Sequence, residues 1–272
     1  MGEVRKFIGL RRWLETPPGR YLLAWEQREM DDVVADLFGF HAVQLGVPAL
    51  DALRDNRMPH RWLVDDGRDA PLKGDRGDDS EGLVQSDLRW REVVLQCDFD
   101  ALPFPSNSID LLVMPHTLEL ARDPHLTLRE AERVLMPEGR LVITGFNPRS
   151  LWGLRQTAGR FRPWNHPADP TRSFVPHDGE NLAYRRLRDW LRLLGFEVEG
   201  GRFGCYRPPL MTDKWLARWG WAEHAGDRWW PVFGAVYMVV AVKRVRGMRL
   251  VGLARKEKPR AAVAPAVITN KH

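Results

Sequence analysis

Apolar runs alternate with polar loops between residues 93 and 147. Val93 to Cys97 and Ile109 to Met114 are mainly apolar and predict two strands. A helix is expected after Asp123, which is a good N-cap followed by proline, and Arg140 to Thr144 predicts another strand. Strands of this kind are typical of a sheet covered on both faces. The order indicates the second half of a doubly wound α/β sheet, whose ligands bind beyond the carboxyl ends of the strands.

The N-terminal part of the chain predicts the other half of this sheet. Residues 20–37 have apolar positions at helical spacing, and residues 40–46 form a plausible strand that ends at a glycine. Residues 48–56 predict a short helix with proline in its first turn. A second strand over residues 61–64 then ends in two aspartates, Asp65 and Asp66.

The C-terminal part adds a helix and two strands. The helix covers residues 181–194, with Gly195 well placed to end it, and the strands cover 196–198 and 232–242. The prediction is therefore an α/β fold with a doubly wound, seven-stranded, mostly parallel sheet and helices on both faces.

Three regions follow from this assignment. Residues 1–38 form an N-terminal helical cap, and residues 39–246 form the α/β domain, with a tryptophan-rich insertion at about 206–230. Residues 247–272 are rich in Ala, Pro and basic side chains, which favours a disordered tail.

Charge and cysteine content narrow the function classes. From Lys243 onward there are nine Lys/Arg and one Glu, a net of +8, which leaves −3 for the rest of a chain whose total is +5. The body therefore offers no general field for nucleic acid. Cys97 and Cys205 have no CxxC partner, which indicates neither a zinc site nor a disulfide scaffold. With no apparent signal peptide or membrane helix, we expect a cytoplasmic protein.

A string of motifs in the middle fifth of the chain resembles a known family. It comprises Asp98, Leu102-Pro103-Phe104, Ile109-Asp110, Leu118-Glu119, Arg129-Glu130 and Arg133 to Gly139. This string is similar to class I S-adenosylmethionine-dependent methyltransferases, nearest to the type 11 group that includes quinone-biosynthesis methylases. Gly19 to Leu23 and Gly145 to Gly153 also resemble a small proteobacterial branch of uncharacterised methyltransferase-like proteins. The resemblance implies a Rossmann-like methyltransferase fold with S-adenosylmethionine as cofactor.

The resemblance also implies where the cofactor binds. Asp65, or its neighbour Asp66, would accept hydrogen bonds from the ribose hydroxyls, although a solvated loop aspartate is an equal alternative. Asp98 would face the adenine amino group and Phe99 would border the ring, with a turn or N-cap aspartate as the other interpretation. The full set of cofactor-binding candidates is Gln44, Gly46, Asp65, Asp98, Phe99, Met114, Tyr21 and Arg20.

The loop after the first strand departs from the family pattern. Where the family has a GxGxG-like loop before a helix N-terminus, this chain has Gly46-Val47-Pro48, and Pro48 lacks a backbone N–H. Two possibilities follow: either Arg20 or Tyr21 supplies contacts that the loop has lost, or the cofactor does not bind.

The acceptor is less defined, because methyl transfer requires positioning more than catalytic side chains. His116, after the fourth strand, is the candidate general base, and a structural role is its alternative. A tryptophan-rich lid (Trp152, Trp164, Trp215 and Trp219) with basic neighbours (Arg155, Arg160, Arg162, Lys214 and Arg218) favours a small-molecule, apolar or lipid-like acceptor and contact with a membrane surface. A satellite aromatic core would give the same pattern.

Two function classes thus remain open: an active methyltransferase, and a catalytically inactive protein of the same fold that acts as a binding or regulatory module. Nucleic-acid methylation is disfavoured, because Met114-Pro115-His116-Thr117 stands where an Asn/Asp-Pro-Pro-Tyr/Phe signature would be expected. No metal site is predicted.

Overall fold

A computed structural model describes residues 9–67, 92–160, 174–176 and 182–244. Seven strands form one sheet in the order β3-β2-β1-β4-β5-β7-β6. Neighbouring strands are parallel from β3 to β5, whereas β7 runs antiparallel to both β5 and β6. The strands are β1 (His41–Leu45), β2 (His60–Asp65), β3 (Leu95–Gln96), β4 (Ile109–Pro115), β5 (Leu135–Phe146), β6 (Phe196–Gly204) and β7 (Val236–Lys243).

Eight α-helices belong to the described part of the chain. They are α1 (Leu10–Leu14), α2 (Pro17–Val34), α3 (Thr117–Leu120), α4 (Pro124–Val134), α5 (Leu151–Arg160), α6 (Tyr184–Leu193), α7 (Asp213–Arg218) and α8 (Trp221–Trp229). A single 3₁₀ turn (Pro231–Phe233) separates α8 from β7. None of these helices combines the length and the apolar character needed to cross a membrane.

The predicted fold class and seven strands are confirmed. Asp123 caps α4 as expected, accepting hydrogen bonds from the backbone N–H groups of His125 and Leu126 at 2.8 and 3.1 Å. Gly195 ends α6 with a φ of +83°, a conformation that glycine adopts without steric cost. The predicted tail (247–272) and the side chains of Arg160, Arg162 and Trp164 lie outside the described residues.

The helix predicted for residues 48–56 is wrong, because this segment forms successive turns. The predicted strand over 140–144 was too short, since β5 begins at Leu135, which pairs with Ile109. Conversely, β3 is reduced to two residues. These corrections leave the sheet order unchanged but remove the helix expected directly after β1.

Two apolar cores lie on opposite faces of the sheet. Helices α1 and α2 pack on one face together with the turns that follow β1, through buried side chains such as Leu22, Met30 and Leu53. Helices α4 and α6 pack on the other face, where Leu128 and Leu187 are fully buried. The N-terminal cap is therefore part of the main core.

Candidate cofactor and acceptor site

The carboxyl ends of β1, β4 and β5 meet at one edge of the sheet. The hydroxyl of Thr117, just after β4, donates to the carbonyl of Leu45 at the end of β1 at 2.6 Å. The backbone N–H of Asn147, after β5, donates to the carbonyl of Ala235 at 2.8 Å. Because β7 is antiparallel, its first residues and the end of β6 lie at this same edge. Ligands of doubly wound folds bind here.

The turn after β1 is held together by the side chain of Gln44. Its amide nitrogen lies 3.0, 3.1 and 2.9 Å from the carbonyl oxygens of Gly46, Val47 and Leu50. Its oxygen accepts a bond from the N–H of Ala52 at 3.1 Å. Gln44 is fully buried, so it shapes this turn from inside instead of facing a ligand as predicted.

Gly46 lies where β1, the β3 loop and the β4 loop come together. Its φ is +77°, and a Cβ added there would be 3.5 Å from the ring of Phe99 and 3.8 Å from the hydroxyl of Thr117. The predicted neighbours Gly46 and Phe99 are thus brought together. Met114 is fully buried in the core on the α4 face, which argues against its predicted contact with the cofactor.

Two acidic side chains flank this junction. Asp65, at the end of β2, is half-buried, and burial together with the carboxylate of Asp66 raises its pKa. Asp98 is exposed after β3 and interacts with another described group. Phe99 lies beside Gly46, and Asp65 directly follows Val64, whose carbonyl accepts a bond from the N–H of Gly46 at 2.7 Å. Carboxylate oxygens accept hydrogen bonds from hydroxyl and amino groups, which are the polar groups of an adenosine. Among the described residues, no group of three or more His, Cys, Asp or Glu side chains is arranged to hold a metal ion.

His116 lies between two buried carboxylates. Its Nδ1 is 2.6 Å from Oε2 of Glu119, and its Nε2 is 3.0 Å from Oε1 of Glu26 in α2. All three side chains are nearly or completely inaccessible, and the ring of Phe146 lies 4.3 Å from the imidazole. Burial alone would lower the pKa of His116, but the two carboxylates outweigh it and raise this pKa to about 10.

This charge state argues against the predicted role of His116 as a general base. A ring that carries its proton at neutral pH has a hydrogen on both nitrogens and no free lone pair with which to accept another proton. Glu119 also accepts a bond from the backbone N–H of Phe146.

A second polar network joins α2 to the insertion. The hydroxyl of Tyr21 donates to Glu223 in α8, which also accepts bonds from the backbone N–H groups of Cys205 and Tyr206 at 3.0 and 3.3 Å. Burial is the main cause of the raised pKa of Tyr21. Arg20 pairs with Asp213 at 3.2 Å. Arg20 and Tyr21, proposed as substitutes for the lost loop contacts, instead anchor α7 and α8.

The tryptophans of α5 and of the insertion divide into buried and exposed sets. Trp152 is 1% exposed and packs against Trp13 and Phe174, with ring centroids 6.0 and 5.2 Å away. By contrast, several large apolar side chains between residues 211 and 233 face solvent: Met211, Trp215, Trp221, Trp229, Trp230, Val232 and Phe233. We call this set the aromatic face. A satellite aromatic core would bury these side chains, so the exposed set does not fit that alternative.

Sequence reasoning missed Glu26 and Glu223 as partners of predicted site residues. Glu26 had a recognisable signal, because it lies between Leu22 and Met30 at four-residue spacing on the apolar stripe of α2. A charge on such a stripe must find a partner inside the core. Glu223 carried no comparable signal.

Comparison with known proteins shows which family this chain resembles. The family described as "Methyltransferase domain" matches residues 77–143. An uncharacterized protein of Escherichia coli, YafS, is 35% identical over 254 residues, covering 91% of this chain and 87% of its own length.

Two other similarities concern parts of the chain or its fold. A ubiquinone/menaquinone biosynthesis C-methyltransferase of Cellvibrio japonicus is 42% identical over 65 residues, which is 24% of this chain and 26% of that protein. A putative methyltransferase of Haloferax volcanii, solved with the Trm112 methyltransferase activator, has a TM-score of 0.51 at 17% identity. That match covers 88% of this chain and 97% of the solved chain, and it supports the fold.

Proposed function

Because this chain belongs to the S-adenosylmethionine-dependent methyltransferases, in one family with YafS, we propose that it transfers a methyl group to a small, apolar acceptor. The observation that carries the acceptor class is the aromatic face, in which seven large apolar side chains are exposed within 23 residues. An exposed concentration of this kind marks a site for an apolar ligand or surface.

The cofactor, when bound, supplies an activated methyl group on a sulfonium centre. We propose that Asp65 accepts hydrogen bonds from its ribose hydroxyls and that Asp98 and Phe99 border its adenine. The positive φ of Gly46 lets the backbone approach the ligand without a side chain. The remaining task of the protein is to align the acceptor and exclude water. Helix α1, whose buried Trp13 packs against Phe146 at the end of β5, would provide the exclusion together with α2.

Calorimetric titration with S-adenosylmethionine and S-adenosylhomocysteine tests this proposal. We expect binding by the wild-type chain and at least a tenfold loss in Asp98→Ala. Asp100→Ala, two residues away, serves as the matched control and should bind normally. Absence of binding at millimolar ligand would instead favour the alternative function, an inactive methyltransferase-fold module. Equal affinities of wild type and Asp98→Ala would show that adenine binds elsewhere.

We further propose that the aromatic face rests on an anionic membrane surface. Tryptophan side chains favour the membrane–water interface, and α7 and α8 expose Lys214, Arg218 and Arg228 beside them. Such basic groups attract anionic lipid headgroups, each contributing about 1 kcal/mol close to the surface. An apolar acceptor dissolved in the bilayer would then be within reach of the site.

Sedimentation with vesicles of phosphatidylcholine and phosphatidylglycerol tests the surface contact. We expect a double variant, Trp221→Ala with Trp229→Ala, to lose most of its vesicle binding. The control is Phe38→Ala, because Phe38 is 75% exposed and precedes β1 at the opposite edge of the sheet. Equal binding by the double variant and the wild type would remove this proposal, and a loss of self-association in the double variant would assign the face to a second copy of the chain.

A further inference from the structure

Glu26 is a buried carboxylate whose hydrogen-bonding capacity is not used. Its side chain is 0% exposed, and neither oxygen has a hydrogen-bond partner among the described residues. Oε1 lies 3.0 Å from Nε2 of His116, but this nitrogen is also without a hydrogen bond, so the two charges are close without being aligned. Buried polar groups in proteins are nearly always hydrogen-bonded, and an exception requires an explanation.

Glu119 differs from Glu26 in this respect. One of its oxygens receives the backbone N–H of Phe146, and the other lies 2.6 Å from Nδ1 of His116. The imidazole is therefore fixed from one side by Glu119, while its opposite nitrogen and the carboxylate of Glu26 form an unsatisfied donor and acceptor side by side. A ligand group carrying both a positive and a negative charge would satisfy both.

This pair lies at the cofactor end of the sheet. His116 directly follows β4 and precedes Thr117, whose hydroxyl bonds to the end of β1 next to Gly46. Glu26 reaches the same place from α2, which packs on one face of the sheet. The amino-acid end of S-adenosylmethionine carries an ammonium, which a carboxylate can bind, and a carboxylate, which an imidazolium N–H can bind.

The turn after β1 is poorly equipped to bind that amino-acid end. Pro48 has no N–H to offer a carboxylate, and no helix N-terminus follows in residues 47–58. The carbonyls of Gly46, Val47 and Leu50, which an ammonium group would need, already accept bonds from Gln44. Binding of the zwitterionic end must therefore come from other residues.

We propose that Glu26 and His116 hold the amino-acid end of the cofactor, with Glu26 accepting hydrogen bonds from the ammonium and Nε2–H of His116 donating to the carboxylate. Glu119 is the positioning residue that orients the imidazole. Since Glu26 and His116 are both buried in the described conformation, α2 must shift from the sheet edge to admit the ligand and close over it afterwards. The proposal rests on the cofactor binding put forward under "Proposed function".

A pair of ligands separates the two ends of the cofactor. S-adenosylhomocysteine contains the amino-acid end, whereas 5′-methylthioadenosine keeps the adenosine and lacks that end. We expect Glu26→Gln to weaken S-adenosylhomocysteine binding at least tenfold in calorimetry and to leave the 5′-methylthioadenosine affinity unchanged. Glu29→Gln is the matched control, because Glu29 is on the same helix and pairs at the surface with Arg202 at 2.7 Å.

The outcomes are distinguishable. An equal loss for both ligands, or no loss for either, would overturn the proposal while leaving cofactor binding intact. Failure of the wild type to bind either ligand would overturn the proposed function, and this inference with it.

A measurement on the wild type alone covers the case in which Glu26→Gln does not fold. Analogues of S-adenosylhomocysteine lacking only the amine or only the carboxylate should each bind at least tenfold more weakly than the parent. Hydrogen exchange of the backbone amides in α2 should also slow when S-adenosylhomocysteine is added, but not when 5′-methylthioadenosine is added. Equal affinities across the analogues, with unchanged exchange in α2, would contradict the inference.

Discussion

At the scale of single residues, two glycines of β6 make opposite predictions. A Cβ on Gly204 would overlap the indole of the buried Trp25, whereas a Cβ on Gly200 would meet no atom within 4 Å. Since overpacking of a core typically costs about 1–3 kcal/mol, we expect Gly204→Ala to lower the free energy of unfolding by roughly that amount. Gly200→Ala, the control, should change it by less than about 0.5 kcal/mol. Urea denaturation followed by fluorescence measures both, and similar losses in the two variants would contradict the packing argument.

His116 makes stability depend on pH. Its pKa is near 6.5 when unfolded and about 10 in the folded protein, so its contribution is complete below pH 6.5 and disappears as pH rises through 10. We expect the free energy of unfolding to fall across this interval with a slope approaching about 1.4 kcal/mol per pH unit from this group. The charged groups that face His116 are Glu26 and Glu119. Burial also raises the pKa of the nearby phenol of Tyr237, so the free energy of unfolding falls further, for this second reason, above pH 10.

The difference between the wild type and His116→Gln isolates this contribution, because the effect of Tyr237 is common to both. Denaturation at several pH values from 6.5 to 10 should give a steeper decline for the wild type. The control is His224→Gln, since His224 is exposed in α8, and its profile should follow the wild type. Parallel profiles for the wild type and His116→Gln would show that the imidazole is not held charged.

The sequence could predict that Gly46, Asp98 and Phe99 follow the ends of strands, because apolar runs mark the strands that precede them. It could not predict the state of His116. That state depends on Glu26, which is 90 positions earlier in the sequence and reaches His116 only because α2 packs against the sheet. Long-range ion pairs of this kind leave no local pattern beyond a charge on an apolar stripe.

At the scale of elements, two helix N-caps provide a comparison. Asp123 bonds two backbone N–H groups at the start of α4, whereas the side chain of Thr212 makes no cap bond at the start of α7. Loss of a working cap typically costs about 1 kcal/mol. We expect Asp123→Ala to lower the free energy of unfolding by about this amount and Thr212→Ala by a few tenths. Chemical denaturation checks the difference, and equal effects would mean that the cap bond contributes nothing in α4.

The segment after β1 shows why element prediction failed where it did. Residues 48–56 contain good helix formers after a proline. The side-chain amide of Gln44, however, donates hydrogen bonds to the carbonyls of Gly46, Val47 and Leu50. Val47 also adopts a φ of +47°, outside the helical region. A tertiary contact from a buried polar side chain therefore overrides local propensity. The strands were easier to predict, because a sheet buried on both faces needs apolar runs.

At the scale of the whole molecule, charge is divided unequally between the folded body and the C-terminal residues. Residues 245–272 contain seven Lys/Arg and one Glu, a net of +6, so residues 1–244 carry −1 of the total of +5. The seven strands and eight helices of the described chain all lie before residue 245. The excess positive charge of the chain is therefore carried by residues that follow the last described strand in sequence.

A chain ending at Arg244 separates electrostatic attraction from aromatic insertion in membrane binding. We expect its thermal midpoint to match that of the full chain, since no described element is removed.

The binding of this shortened chain to phosphatidylglycerol-containing vesicles should weaken. Basic groups near an anionic surface contribute about 1 kcal/mol each and are screened within a Debye length of about 10 Å at 0.1 M salt. The Debye length falls by about a factor of two between 50 and 200 mM salt, the two concentrations to be used. The full chain should therefore lose affinity for the vesicles over this range, and the affinity of the shortened chain should depend less on salt. Vesicle sedimentation at both concentrations measures this. If the shortened chain binds with full affinity and the same salt dependence, attraction resides in Lys214, Arg218 and Arg228 beside the aromatic face, and the residues after 244 take no part in it.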